Sequence, residues 1–133
     1  MSDTLVDTNV LLDLVTDSPQ FEWSNRQLDE AILRGRPVIN DVIYAELSVG
    51  YREMSEIDEF LRETGIDIVQ MPKPALFFAG KAFQAYRKRG GTRTGVLPDF
   101  FIGAHAQVEG LPLLTRDPRH YRTYFPDVDL IAP

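Results

Sequence analysis

Short apolar segments alternate with longer amphipathic segments along the whole chain. Five short segments, rich in leucine or β-branched residues, are predicted to be buried strands: 5–6, 37–40, 66–71, 113–115 and 130–131. Apolar residues three and four positions apart predict helices from about residue 9 and over these ranges: 20–33, 42–51, 55–64, 74–89, 99–108 and 118–124. Strands separated by helices predict an α/β fold, with about five short parallel strands between two helical layers. No repeat or linker interrupts the pattern, so we expect a single domain over residues 1–133.

Capping residues sharpen several of these helix boundaries. Asp41 is expected to cap the helix that follows the second strand, and Ser55 with Asp58 resembles a capping box. Pro98 is expected at the first position of the helix over 99–108, which is so apolar that it must be buried. Its one histidine, His105, is therefore expected to be a hydrogen-bonded core residue, whereas His120 is expected to be solvated.

Composition excludes several classes of function. The chain of 133 residues contains no cysteine, which excludes disulfides, thiolate nucleophiles and cysteine-ligated metals. Its apolar runs are too short to span a bilayer, and its first residues lack the features of a signal peptide. We therefore expect a cytoplasmic protein without membrane contact.

Charge is distributed unevenly along this acidic chain, whose formal net charge is −6. No Asp or Glu occurs between Ile68 and Pro98, yet this segment contains a basic group: Arg87, Lys88, Arg89 and Arg93. A local basic patch can bind a nucleic acid backbone even on an acidic protein. The same residues could instead complement the dipole at the end of a helix, and the sequence does not separate these alternatives.

Four acidic residues are predicted at one edge of the sheet. Asp7 ends the first strand, Glu46 lies early in the helix after the second, Asp99 opens the apolar helix, and Asp117 follows the fourth strand. In parallel α/β sheets the strand ends and the following helix starts meet at the edge where ligands bind. Each residue alone has a structural explanation, as a turn residue, a helix cap or a solvated side chain, so the prediction depends on their convergence.

A hard divalent cation would resolve the charge of such a cluster. Glu46 lies among apolar helical neighbours, and converging carboxylates repel one another. Oxygen ligands of this kind suit Mg²⁺, with Mn²⁺ as an alternative. Asn9 and Thr115 are candidate supporting residues that could orient a carboxylate or a water, although a helix cap and a strand-end hydroxyl explain them equally well.

With these residues assembled, the chain resembles the PIN-domain ribonucleases, specifically the VapC-type toxins of type II toxin–antitoxin pairs. The resemblance covers nearly the whole length and is carried by four segments: LVDTNVLLD around Asp7, NDVIYAELS around Glu46, LPDFFIGAHA around Asp99 and LLTRDPRHY around Asp117. It implies a PIN-like three-layer fold and a Mg²⁺- or Mn²⁺-dependent endoribonuclease. It also implies a homodimer and inhibition by a cognate VapB-type antitoxin.

The expected chemistry is metal-assisted hydrolysis of RNA phosphodiester bonds, leaving a 5′-phosphate and a 3′-hydroxyl. The four carboxylates would hold the metal, and one of them could accept a proton from the attacking water. Alternatives are a PIN-like RNA-processing nuclease outside a toxin–antitoxin pair, a silent PIN-like binding domain, and a phospho-accepting receiver-like module. A receiver needs an aspartate at the end of its central strand, which the segment 66–71 lacks, and a dehalogenase-like phosphatase needs aspartate where Asn9 stands.

Overall fold

Five parallel strands form the central sheet of the computed structural model, which describes residues 2–93 and 95–133. Met1, in the segment expected to lack a signal peptide, and Thr94, in the basic segment, lie outside the described residues. The strands are β1 (Thr4–Val6), β2 (Pro37–Ile39), β3 (Asp67–Ile68), β4 (Leu113–Leu114) and β5 (Leu130–Ile131). Their order across the sheet is β3-β2-β1-β4-β5, so β1 is central.

Seven helices occur within the described residues and flank this sheet. They are α1 (Thr8–Val15), α2 (Phe21–Arg34), α3 (Asp41–Ser48), α4 (Met54–Thr64), α5 (Lys73–Lys88), α6 (Leu97–Glu109) and α7 (Arg119–Tyr124). The predicted three-layer α/β/α fold with about five parallel strands is confirmed. No helix in the described residues is both long and apolar enough to cross a bilayer.

The register of the central strands places two polar residues at one edge. Leu5 pairs with Val38 and with Leu113, and Val6 pairs with Leu114. All of these residues are buried, as expected for strands covered on both faces. The chain leaves β1 at Asp7 and β4 at Thr115, so the two side chains start from the same edge of the sheet.

Close packing fixes α6, which carries Asp99, against the C-terminal part of the chain. Phe100 is buried and its ring contacts those of Tyr124 and Phe125, with centroids 5.2 and 5.9 Å away. Gly103 allows this approach, because a Cβ there would lie 2.4 Å from the Phe125 ring. The prediction that this helix is buried is confirmed by Phe100 and by residues 102–106.

Several predicted boundaries are wrong in detail. The third strand covers two residues rather than 66–71, because it is an edge strand that pairs with β2 only at Asp67 and Ile68. The helix expected over 42–51 ends at Ser48, where turn hydrogen bonds replace the helical pattern. Leu97, not Pro98, is the first residue of α6.

Two capping predictions are also wrong. Asn40 rather than Asp41 caps α3, because its side-chain oxygen accepts a hydrogen bond from the Ile43 amide at 2.9 Å. The Nδ2 of Asn40 lies 3.0 Å from Nδ1 of His105, which confirms His105 as a hydrogen-bonded core histidine. In α4 the reciprocal bond joins the Glu53 amide to the Glu56 carboxylate, so Ser55 lies inside the helix rather than before it.

Candidate active site

All four predicted acidic residues line one pocket of about 210 Å³ at the strand-end edge of the sheet. They reach it from separate elements: the end of β1, the middle of α3, the first turn of α6 and the segment after β4. The full lining is Asp7, Thr8, Asn9, Leu12, Glu46, Asp99 and Asp117. Residues up to 110 positions apart in the chain therefore share one small acidic space.

Asp7 lies deepest, with 5% of its surface exposed. Its Oδ1 accepts a hydrogen bond from the Thr8 amide at 2.8 Å, and its Oδ2 accepts from Thr115 Oγ1 at 2.8 Å and from the Tyr121 hydroxyl at 3.0 Å. Burial raises the pKa of Asp7 to about 6; the bond from Thr115 opposes this rise, and the charge of Asp99 adds to it. Asp7 is therefore a carboxylate for which the charged form is unfavourable without a cation.

Glu46 extends from α3 and is half-buried beside the start of α1. The Thr8 hydroxyl donates to Glu46 Oε1 at 2.6 Å, while Oε2 accepts no hydrogen bond from any residue that the structure describes. Burial raises the pKa of Glu46, the Thr8 bond lowers it, and the charge of Asp99 raises it again. Glu46 thus keeps one oxygen free to bind a ligand in the pocket.

Asp99 faces α7 across the pocket. Its Oδ1 lies 3.4 Å from the Tyr121 hydroxyl and its Oδ2 lies 3.3 Å from Nδ1 of His120. The expectation that His120 is solvated is confirmed in part: about one third of its side chain is exposed, while α7 turns its ring toward Asp99.

Asp117 lies at the rim, and its side chain is turned outward. Both of its oxygens accept hydrogen bonds from Arg119, at 2.9 and 3.1 Å, and this pairing lowers the pKa of Asp117. The pair is well exposed, so its contribution to stability is small. Asp117 lines the pocket, but its carboxylate is occupied by an arginine.

Asn9 and Thr115 connect the elements on which the acids stand. Asn9 Nδ2 lies 3.3 Å from Thr115 Oγ1 and 3.5 Å from Asp7 Oδ2, and its Oδ1 accepts a hydrogen bond from the Arg116 amide. Thr115 Oγ1 also accepts from the Asp117 amide at 3.1 Å while donating to Asp7. These contacts orient Asp7, the supporting role that the sequence predicted for both residues.

The donor set of the pocket suits a hard divalent cation. Carboxylate oxygens are the preferred ligands of Mg²⁺, and the unfavourable ionisation of Asp7 and Glu46 is the condition that a bound cation relieves. In residues 2–93 and 95–133, however, no three Asp, Glu or His side chains lie close enough together to hold an ion as they stand. An ion held by these residues would therefore keep water molecules among its ligands or draw the carboxylates closer together.

The basic residues predicted to bind RNA lie at the end of α5 and in the segment after it. Arg87, Lys88, Arg89 and Arg93 are all exposed. Arg89 lies over the ring of Tyr124 in α7, with its guanidinium carbon 5.8 Å from the ring centroid. Because α7 also contacts the acidic pocket through Tyr121, Arg89 stands on a neighbouring surface.

Sequence reasoning missed three contributors to the pocket: Thr8, His120 and Tyr121. Thr8 lies between Asp7 and Asn9, and a threonine at the start of a helix has no feature in the sequence that separates it from an ordinary helical residue. His120 and Tyr121 follow Asp117 closely, but six residues of helix do not reveal which side chains turn inward. Tyr121 could have been identified from its chemistry. A tyrosine has a large apolar ring suited to burial, and its hydroxyl then needs a hydrogen-bond partner.

Comparison with known families covers all four segments that contribute acids to the pocket. A model of the PIN domain matches residues 4–126. The chain belongs to the PIN domain family. PIN domains are nucleases, so the resemblance noted in the sequence is confirmed at this level and the receiver-like alternative is disfavoured.

Solved structures share the fold of this PIN domain at low sequence identity. The VapBC2 structure from Rickettsia felis, bound to a promoter DNA fragment, matches with a TM-score of 0.73 and 19% identity over 98% of both chains. VapBC-1 from nontypeable Haemophilus influenzae gives 0.72 and 19%, covering 98% of this chain and 97% of the other. FitAcB from Neisseria gonorrhoeae gives 0.70 and 21% over 96% of both. No curated protein matches the sequence.

Proposed function

We propose that this PIN domain is a divalent-metal-dependent endoribonuclease and the toxin of a toxin–antitoxin pair. The observation that carries the proposal is the convergence of Asp7, Glu46, Asp99 and Asp117 on one pocket, with Asp7 buried and unpaired with any cationic side chain among the described residues. The fold shared with toxin–antitoxin complexes supports the biological role.

The carboxylates would hold Mg²⁺, or Mn²⁺ in its place. When bound, the ion supplies Lewis-acid activation of water and neutralises charge on the reacting phosphate. Asp7 has one acceptor position left on Oδ1, since Oδ2 already accepts from two hydroxyls, and Glu46 has Oε2. Asp117, the most exposed acid of the four, has one acceptor position left on each oxygen, but it shares its negative charge with Arg119.

The basic group Arg87, Lys88, Arg89 and Arg93 is proposed to hold the RNA backbone on either side of the scissile bond. An acidic pocket repels phosphate, so flanking cations are needed to retain the substrate. The four side chains are exposed, and the chain continues from them directly into α6 and Asp99. Changing Arg89 to Ala should weaken RNA binding and reduce its salt dependence.

The decisive experiment compares wild type with Asp7→Asn on RNA and on DNA of the same sequence, with Mg²⁺ or with chelator. We expect Mg²⁺-dependent cleavage of RNA, with 5′-phosphate and 3′-hydroxyl ends, and a loss of more than about 100-fold in the variant. Asp29→Asn, at an exposed position of α2 outside the pocket, is the matched control and should cut normally. Equal cleavage by Asp7→Asn, or cleavage in chelator, would overturn the proposal.

The proposed partners are a VapB-type antitoxin and a second copy of the chain, both acting in the cytoplasm. The similar structures named above are of VapBC and FitAcB proteins, which supports an antitoxin partner. Exposed apolar side chains on α5, Leu76 and Phe77, offer surface for a homodimer. Co-expression with the neighbouring small gene should abolish cleavage, and light scattering should give twice the monomer mass of 15.1 kDa.

A further inference from the structure

Tyr121 joins two of the pocket acids through one hydroxyl group. It is 1% exposed and is among the largest fully buried side chains of the described residues. Its oxygen lies 3.0 Å from Asp7 Oδ2 and 3.4 Å from Asp99 Oδ1. We infer that Tyr121 is a positioning residue that holds Asp7 and Asp99 for cation binding, an inference that rests on the function proposed above.

The choice of a hydroxyl matters for the charge of the pocket. A lysine at this place would neutralise the two carboxylates and compete with a metal ion. A hydroxyl donates a hydrogen bond but carries no charge. It therefore stabilises an ionised carboxylate and leaves the negative charge of the pocket available to a cation. Its single proton can serve only one oxygen at a time, and the nearer oxygen belongs to Asp7.

The position of Tyr121 is more strongly fixed than that of its neighbours on α7. Three consecutive side chains of this helix contact pocket acids: Arg119 contacts Asp117, His120 contacts Asp99, and Tyr121 contacts both Asp7 and Asp99. Arg119 is 84% exposed and His120 is 36% exposed, so solvent competes with both contacts. Tyr121 alone among the three is held by core packing, and its hydroxyl is therefore the rigid contact.

Removing this hydroxyl should weaken metal binding without disturbing the fold. Tyr121→Phe deletes one oxygen and keeps the buried ring. Tyr124→Phe is the matched control, because Tyr124 lies on the same helix and its ring packs against Phe100 and Tyr86. Mn²⁺ binding is measured by calorimetry without RNA, and folding is followed by circular dichroism and urea unfolding.

We expect Tyr121→Phe to bind Mn²⁺ about tenfold more weakly than wild type, as is typical when a group that orients a metal ligand is lost, while Tyr124→Phe binds normally. In the metal-free protein, the carboxyl carbon NMR signals of Asp7 and Asp99 should shift in Tyr121→Phe alone. Unchanged signals would show that the Tyr121 hydroxyl does not contact these carboxylates. This conclusion would hold even if the variant were less stable than wild type.

The outcomes separate this inference from the proposed function. Wild-type protein that binds Mn²⁺, together with a Tyr121→Phe variant of equal affinity, would overturn the role of Tyr121 and leave the metal-dependent nuclease standing. Equal weakening in both variants would also overturn it, because the effect would then be general to α7. Wild-type protein that binds no Mn²⁺ would overturn the proposed function and this inference with it.

Discussion

Asp7 and Asp13 are two buried aspartates at the start and in the body of the same helix, yet their surroundings are opposite. Both are at most 5% exposed. Asp13 accepts hydrogen bonds from Ser24 and Ser18 and forms an ion pair with Arg116, while Asp7 has only neutral donors among the described residues. The fold therefore compensates the charge of Asp13 with an arginine and gives Asp7 no cationic partner among the described residues.

The pKa values record this difference. Burial raises the pKa of Asp13, but the bonds from Ser24, Arg116 and Ser18 outweigh it, so the pKa is lowered overall. Burial raises the pKa of Asp7 to about 6, since the hydroxyls of Thr115 and Tyr121 offset only part of the effect and Asp99 adds to it. A buried acid with its own cation forms a pair that is costly to break, whereas a buried acid without a cation marks a candidate ligand site.

The largest expected effect concerns the cation itself. Mg²⁺ at about 100 times its dissociation constant should stabilise wild type by about 2.7 kcal/mol, because only the folded chain assembles the pocket. Asp7→Asn should show little of this gain, whereas Asp29→Asn should show all of it. Thermal unfolding with and without chelator measures the difference, and an equal Mg²⁺ response in Asp7→Asn would remove Asp7 from the site.

A second prediction concerns the compensated acid. Asp13→Asn should lower the free energy of unfolding by about 2 kcal/mol, because it leaves the guanidinium of Arg116 without its anion. The value is set below that of a fully buried pair, since one third of the Arg116 side chain is exposed. Urea unfolding in chelator is the measurement, and stability equal to wild type would show that Arg116 is accommodated without Asp13.

The third prediction has the opposite sign. In the metal-free protein, ionised Asp7 costs on the order of 3 kcal/mol of stability above pH 6, because its folded pKa of about 6 exceeds the ordinary value of 3.8. Asp7→Asn removes that cost but receives weaker hydrogen bonds from Thr115 and Tyr121, so we expect a net gain of about 1 kcal/mol at pH 8.

The pH dependence checks the cause of this gain. Between pH 4 and 6 the folded protein binds the proton of Asp7 more tightly than the unfolded chain, so wild-type stability contributed by this group falls as pH rises through that window. The advantage of Asp7→Asn over wild type should therefore vanish at about pH 5 and become a disadvantage of about 1 kcal/mol at pH 4. An advantage that is constant with pH would point to packing rather than ionisation.

Convergence of the four acids could be predicted from the sequence because it follows from topology. Parallel strands joined by helices bring the ends of β1 and β4 and the starts of α3 and α6 to one edge, wherever they fall in the chain. Details of side-chain orientation could not be predicted in this way. Asn40 and Asp41 are both good capping residues, and the structure uses Asn40, which caps α3 and contacts His105 with the same side chain.

The compensation of each acid also depends on contacts that the sequence does not reveal. Asp13 and Arg116 are remote in the chain, and no periodicity connects them. Tyr121 is in an apolar position of a very short helix, where a core aromatic would suffice. The partners of its hydroxyl, Asp7 and Asp99, are brought beside it by β1 and α6 and are visible only in the folded structure.

The smallest expected effect concerns Asp117, the rim acid, which resembles Asp13 in having an arginine but differs in exposure. Arg119→Ala should change the free energy of unfolding by less than about 0.5 kcal/mol, because exposed ion pairs contribute little. It should also raise the pKa of Asp117 toward its ordinary value, since the Arg119 hydrogen bond is the main cause of the lowered pKa. If Asp117 is a metal ligand that Arg119 occupies, the same variant should bind Mn²⁺ slightly more tightly in calorimetry. Weaker Mn²⁺ binding would instead assign Arg119 to holding Asp117 in its ligand position.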